Sequence, residues 1–329
     1  MAVQDWPPIE REGPRAPATR IFGWAMMAAL AAFMINNVLT VSFGFPGPFA
    51  LSAGGVLALV QLGIYIVGIA LAVAYVLRAP DVSLRWDARI ITNFNVYLVR
   101  ACFWAVLLVG IADSTIAFLR TEGLLAVFFA DDMVKKLGLS RFVGAYVHIP
   151  LIIVGFLIAI RSRTLGFTWL ALLIVVAELL IVISRFVFSY EQALMGDLVR
   201  YWYAALFLFA SAYTLLDEGH VRVDVFYAGF KGSVKGRVNA FGSILLGMTT
   251  AWIIIWIGFD GKTAIINSPV ANFEVTQTGG VGMFVKYQMA MFLGIFAITM
   301  LIQFTAYLLE AVADMREEPG KREVIIASH

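Results

Sequence analysis

Apolar and polar residues in this chain are sorted into long blocks instead of alternating. Apolar runs of about 20 residues, the length a helix needs to cross a hydrocarbon core about 30 Å thick, recur from residue 21 to residue 312. Eight spans can be drawn, at 21–43, 53–78, 95–119, 141–160, 165–188, 198–216, 235–258 and 285–312. Leu165–Phe188 is the cleanest, with Glu178 and Arg185 as its ionisable side chains. The pattern predicts an all-α integral membrane protein of about eight transmembrane helices. In the fourth span Pro150 removes a backbone donor and predicts a kink satisfied by neighbouring helices or water.

The connections carry their own signals. Thr121–Gly138 sets Leu124, Leu125, Phe128 and Phe129 beside Asp131, Asp132, Lys135 and Lys136, as in a short amphipathic helix lying on the membrane. Asp81–Asn93, with Trp86, reads as a second interfacial segment; for both, a solvated loop is the alternative. The turn at Arg161–Arg163 is short enough to make spans four and five antiparallel neighbours. It divides the chain into an N-terminal half, 21–163, and a C-terminal half, 164–315, between tails at 1–20 and 316–329. No repeat relates the halves, so an inverted-repeat carrier core is not expected. With the N-terminus inside, fifteen Lys and Arg fall in cytoplasmic segments and eight in outer ones, which predicts both termini cytoplasmic.

Composition narrows the class. With 61% hydrophobic and 14% charged residues, against about 25% charged in soluble domains, no sizeable water-soluble domain can be carved out. A net charge of +2 gives no reason to expect a nucleic-acid partner. Cys102 is the single cysteine and lies in an apolar run, which excludes an internal disulfide or a cysteine metal cluster. The first twenty residues hold four prolines and mixed charge, unlike a cleavable signal, and read as an irregular cytoplasmic tail.

Ionisable residues inside spans are the functional candidates. Glu178 sits near the middle of span five, and Arg185 follows seven residues later on the same helical face, so the two are candidates for one interhelical network. Asp113 lies in the outer half of span three, seven residues before Arg120. Structural pairing is the commoner use of such groups; an ion-coupling site in a self-sufficient carrier or channel, built on Glu178 and Asp113, stays open. Trp252 and Trp256 read as packing and interface residues. His148, His220 and His329 are too few for a membrane cytochrome with two haems. HExxH, GxSxG with partners and GxxxxGK[ST] are all missing. Neither an enzyme site nor a cofactor is expected; a membrane enzyme subunit using His148 stays open as an alternative.

The C-terminal half carries a more specific pattern. Ser184-Arg185-Phe186-Val187-Phe188 closes a span and is followed by Gly196-Asp197-Leu198-Val199-Arg200-Tyr201. Ala210-Ser211-Ala212-Tyr213 comes next, then Asp217-Glu218-Gly219-His220-Val221-Arg222-Val223-Asp224-Val225; Gln303 fits more weakly. This resembles the small membrane subunit, DctQ type, of tripartite ATP-independent periplasmic (TRAP) transporters, over about 165–315. Asp197 stands where that family commonly has a glutamate, and the connection Phe259–Phe284 lacks the Leu-Pro expected before the last span. The N-terminal four spans extend beyond the usual subunit.

The resemblance implies a division of labour in a bacterial inner membrane. A large DctM-type permease subunit moves elevator-fashion and holds the substrate and sodium sites, while a periplasmic DctP-type binding protein delivers an organic acid. The small subunit is a stationary scaffold that touches both partners and the membrane lipids. On that reading Asp197, Arg200, His220, Arg222 and Asp224 hold structure at the span ends. Asp260, Lys262, Glu274 and Lys286 in the outer loops are candidate contacts for the binding protein.

Overall fold

The structure, a computed structural model, describes residues 9–162, 167–216, 227, 229–276 and 278–321. Among them there are no strands, and eight helices are long and apolar enough to cross a bilayer. Lipid offers no partner for a backbone N–H or C=O, so helices that satisfy these groups internally are what such apolar runs can form. The long helices are α1 (Pro17–Phe43), α2 (Leu51–Arg78), α3 (Leu84–Thr121), α6 (Ser140–Arg161), α7 (Phe167–Phe188), α8 (Ala193–Leu216), α9 (Gly232–Gly258) and α11 (Lys286–Met315). Short helices α4 (Leu125–Phe128), α5 (Asp131–Leu137) and α10 (Asn267–Asn272) lie in the connections.

Two sequence expectations change here. Asp81–Asn93 is not a separate interfacial segment: from Leu84 on it is the first three turns of α3, which runs 38 residues. Its polar residues mask the continuity, because Arg85 and Asp87 are buried against other parts of the chain and not solvated. Thr121–Gly138 forms two short helices, broken by the extended backbone of Phe129 and Ala130. The second carries acids in its first turn and lysines in its last, with Lys136 Nζ 2.5 Å from Asp132, an arrangement that suits the helix dipole.

Pro150 is absorbed without a break. The turn before it, Gly144–His148, is a π-turn, and α6 continues through Ile149–Arg161. A π-turn shifts the hydrogen-bond register, the local adjustment by which a membrane helix can accommodate a missing donor. A second π-turn occupies Ser243–Met248 in α9.

The chain forms two compact units. One comprises Val96–Ser211 and Ala264–Phe296; the other comprises the described parts of Val3–Asn95, Ala212–Thr263 and Ala297–His329. Each draws residues from both sides of the Arg161–Arg163 turn, and α3, α8 and α11 contribute to both.

Within the second unit, α1 and α2 form a tight antiparallel hairpin. Gly44 ends α1 in the left-handed conformation at φ 74°, which glycine adopts without strain. Buried Gln61 closes the turn: it accepts from Gly47 N at 2.8 Å and donates to Thr40 Oγ1 at 3.0 Å, while Asn36 donates to its backbone carbonyl. Close helix crossings rest on missing side chains. A Cβ on Gly155 would lie 2.6 Å from the backbone nitrogen of Ala105, and one on Gly236 would lie 2.5 Å from that of Met315.

Candidate functional site

The first unit concentrates its buried polar groups around the loop that leads into α11. Asp113, in the C-terminal third of α3, is fully buried, and its Oδ2 accepts from the backbone N–H of Phe284 at 2.7 Å. Asp197, in the second turn of α8, accepts through Oδ2 from the preceding amide, Met283 N, at 3.1 Å. The same oxygen accepts from Thr276 and Thr278 Oγ1 at 3.2 and 3.1 Å. Two carboxylates thus hold consecutive amides just before α11, where backbone donors lack helical partners and negative charge is favoured.

Arg120 completes the clamp from the carbonyl side. It donates to Gly280 O and Gly282 O, both at 2.6 Å, and its guanidinium lies 4.0 Å from the centre of the Phe284 ring. A planar fork with several donors suits this spread of carbonyls. Gly282 is required by close approach: a Cβ there would stand 2.4 Å from Asp197 Oδ2 and 1.9 Å from Thr278 Oγ1.

Behind the clamp runs a buried chain of side chains. Tyr201 donates its hydroxyl proton to Gln288 Oε1, Gln288 Nε2 donates to Tyr287 Oη at 3.0 Å, and Tyr287 Oη lies 2.9 Å from His148 Nδ1. The Tyr287 proton has only His148 Nδ1 to receive it in this network, which assigns Nδ1 as acceptor and leaves the ring proton on Nε2. His148 Nε2 then faces Asp113 Oδ1 at 3.2 Å, off the ideal hydrogen-bond direction, and neither atom has another partner. His148 ends the π-turn of α6, and Gly144 in that turn leaves room for the ring of Phe273, which a Cβ would meet at 2.1 Å. The histidine is enclosed and committed, with no face open to a substrate.

A second polar cluster, in the other unit, was not singled out from the sequence. Arg20 and Asp87, both fully buried, pair at 2.7 Å. Arg85 pairs with Glu310 at 2.6 Å and Asp314 at 2.8 Å and donates to the carbonyls of Glu318 and Pro319. Buried Asn95 donates to Thr299 O and to Gln303 Oε1. In the sequence Arg20 and Arg85 read only as two of the fifteen cytoplasmic charges. The available signal was Glu310 and Asp314, one turn apart on the same face of the last helix.

The remaining sequence candidates are scattered. Glu178 is exposed on α7, and Arg185 turns to Glu191 at 3.5 Å, so the shared network of Glu178 and Arg185 is not formed. Arg200 is exposed and reaches Asp197 Oδ1 only at 3.8 Å. Glu274 and Lys286 pair with each other at 2.8 Å, whereas Asp260 and Lys262 stand exposed. His220, Arg222 and Asp224 lie outside the described residues. No cluster of three or more metal-ligating side chains occurs among the described residues. A groove of 390 Å³ in the second unit, lined by Phe22, Met26, Met248, Trp252 and Trp256 among others, is almost wholly apolar.

Near the ends of the chain, Arg15 hydrogen-bonds Asp81 at 2.6 Å, which holds that carboxyl below its usual range. Burial pushes the Glu318 carboxyl up despite Arg316 at 3.2 Å and the nearby charge of Arg85. The hydrogen bond from Tyr190 to Glu122 raises the phenol.

Residues 171–314 match the family model of the DctQ component of tripartite ATP-independent periplasmic transporters. This segment is a DctQ-like domain. The match takes in α7 to α11, including Asp197, the Thr276–Phe284 loop and the Tyr201–Gln288 pair. DctQ is a transporter component family, not a catalytic one, and its members work with DctM and DctP components. No curated protein and no solved structure matches the chain. Asp113, Arg120 and His148, which complete the clamp, come from outside the DctQ domain. Helices α3 and α6 of the N-terminal half therefore contribute side chains to the polar core around the Thr276–Phe284 loop.

Proposed function

We propose that this chain is the stationary scaffold of a TRAP transporter in a bacterial inner membrane, with both termini cytoplasmic. It braces a large DctM-type subunit that carries an organic acid in, driven by sodium, after delivery by a periplasmic DctP-type protein. The observation that carries the reading is the fate of the buried polar groups in and beside the segment that matches the DctQ component. Asp113, Asp197 and His148 are spent on the chain's own loop and helices, so they tie elements together and enclose no solute. An elevator domain moves substrate only relative to something that stays put, and a helical wall knitted by internal charge and hydrogen bonds meets that need. Membrane lipids cover the rest of its apolar surface.

Helices α3 and α6 of the N-terminal half are part of this wall, since they supply Asp113, Arg120 and His148 to the clamp. Asp260 and Lys262 are left as the free charges for a weak, transient contact with the binding protein. The competing reading, a self-sufficient carrier or channel using Glu178 and Asp113, loses support because Asp113 is committed to Phe284 and the two carboxylates do not meet. Proteoliposome uptake decides between them. This chain with its large subunit, the binding protein and a sodium gradient should accumulate an organic acid, and this chain alone should not. Flux through the chain alone would overturn the scaffold.

A further inference from the structure

Helix α7 is the least enclosed of the eight long helices. In its most apolar window 11% of residues are buried, against 61% in α11. One face is anchored to the rest of the chain through buried Leu170 and Ala177. The other faces are exposed, including Val175, Leu179, Val182 and Phe186.

Glu178 stands on this open surface. It lies eleven residues from Phe167 and ten from Phe188, so about 15 Å of helix separates it from either end. No lysine, arginine or hydrogen-bonding group among the described residues reaches it. Arg185 is two turns away and pairs with Glu191. The carboxyl cannot snorkel across half a bilayer, and acyl chains offer no donor. Ionisable groups at this depth face a bundle interior or a watery cavity. The Glu178 face must therefore be interior to something larger than this chain.

The residues around it have the spacing of a helix-packing seam. Ala171, Val175, Glu178, Val182 and Arg185 follow one another at intervals of four, three, four and three. On an α-helix they fall within an arc of about 80°. That is the spacing by which one helix receives another at a shallow crossing angle.

We propose that this face of α7 seats a transmembrane helix of the large membrane subunit, and that the partner helix presents a hydrogen-bond donor to Glu178 at the bilayer midplane. The donor is an amide, a hydroxyl or a basic side chain. This rests on the reading of the chain as a TRAP scaffold and names where its mobile partner's subunit sits. A soluble binding protein cannot reach the midplane. A second copy packed through the same seam about a two-fold axis along the membrane normal would set Glu178 against Glu178, like against like, and bring no complementary charge. A different membrane chain is the occupant that supplies the missing donor.

The test uses the full chain co-expressed with its tagged large subunit in intact membranes. A photoreactive benzoylphenylalanine is placed at Val175 or Val182, and, as controls, at Leu57 or Ile153, which are exposed on α2 and α6. Val175 and Val182 should give adducts carrying the large-subunit tag, and the controls should not. Glu178→Leu should cut the large subunit recovered with the chain about tenfold, the equivalent of one lost hydrogen-bonded contact. Glu178→Gln, which still accepts a hydrogen bond, should hold recovery near the wild-type level. Adducts with a differently tagged second copy would overturn the proposal. So would adducts confined to the controls, or Glu178→Leu recovering as much large subunit as wild type, as expected of a carboxyl facing lipid. In those cases the large subunit still copurifies and the scaffold reading stands. If it never copurifies with the wild-type chain, the scaffold reading fails and the seat falls with it.

Discussion

Removing the Asp113 carboxylate should loosen the junction between the N-terminal helices and the DctQ domain more than any single apolar truncation nearby. In Asp113→Ala the buried N–H of Phe284 loses a charged acceptor at 2.7 Å, a contact worth about 1.5–3 kcal/mol. His148 Nε2 loses its one facing group; at 3.2 Å and off-axis this contact belongs at the low end, about 1 kcal/mol, with the orphaned donor still buried. Together these come to about 2.5–4 kcal/mol, overlapping the range for breaking a buried charged pair. Asp113→Asn keeps an acceptor for Phe284 and should cost about half as much. The assay is equilibrium unfolding in mixed micelles by SDS titration, followed by tryptophan fluorescence. A double-mutant cycle with His148→Phe should return a coupling of at least about 1 kcal/mol. A loss below about 1 kcal/mol in Asp113→Ala, or strict additivity in the cycle, would refute the clamp as a tertiary tie.

Gly282→Ala should destabilise by about 1–3 kcal/mol, because its Cβ must displace Thr278 and Asp197; limited proteolysis should then cut within 273–285 sooner than in wild type. Arg20→Met should cost about 3–5 kcal/mol by stranding Asp87, and Arg20→Met with Asp87→Leu should recover most of it, since an apolar pair carries no desolvation cost; SDS titration of the three variants measures both steps. Stability should also respond to pH at Glu318. Its carboxyl titrates higher in the folded chain than when unfolded, so the penalty is absent below the unfolded value and appears as pH rises through the folded one. Glu318→Gln should therefore raise the unfolding midpoint at pH 7 and leave it unchanged at pH 4.

Much of the architecture was legible in residue order. Each long apolar run became a helix near its expected place because a bilayer-spanning segment must satisfy its backbone locally, whatever its neighbours do. The runs of residues around Asp197 and Gly219–Val225 were enough to point to the DctQ component. The polar opening of α3 was misread as a surface segment. Arg85 and Asp87 look solvated in sequence, and become interior only because Glu310, Asp314 and Arg20 cover them.

Tertiary structure alone decided which charges meet. Asp113 and Phe284 are 171 positions apart, and Arg85 and Glu310 are 225 apart. Nothing in local hydropathy couples such positions. It also separated the fates of two carboxylates that looked alike as residues within apolar runs: Asp113 turned inward onto a backbone amide, Glu178 outward onto open surface. Hydropathy is a property of a segment and its solvent, so sequence carries it directly. The pairing of buried polar groups depends on which helix faces come together, and that is settled only when the whole chain has packed.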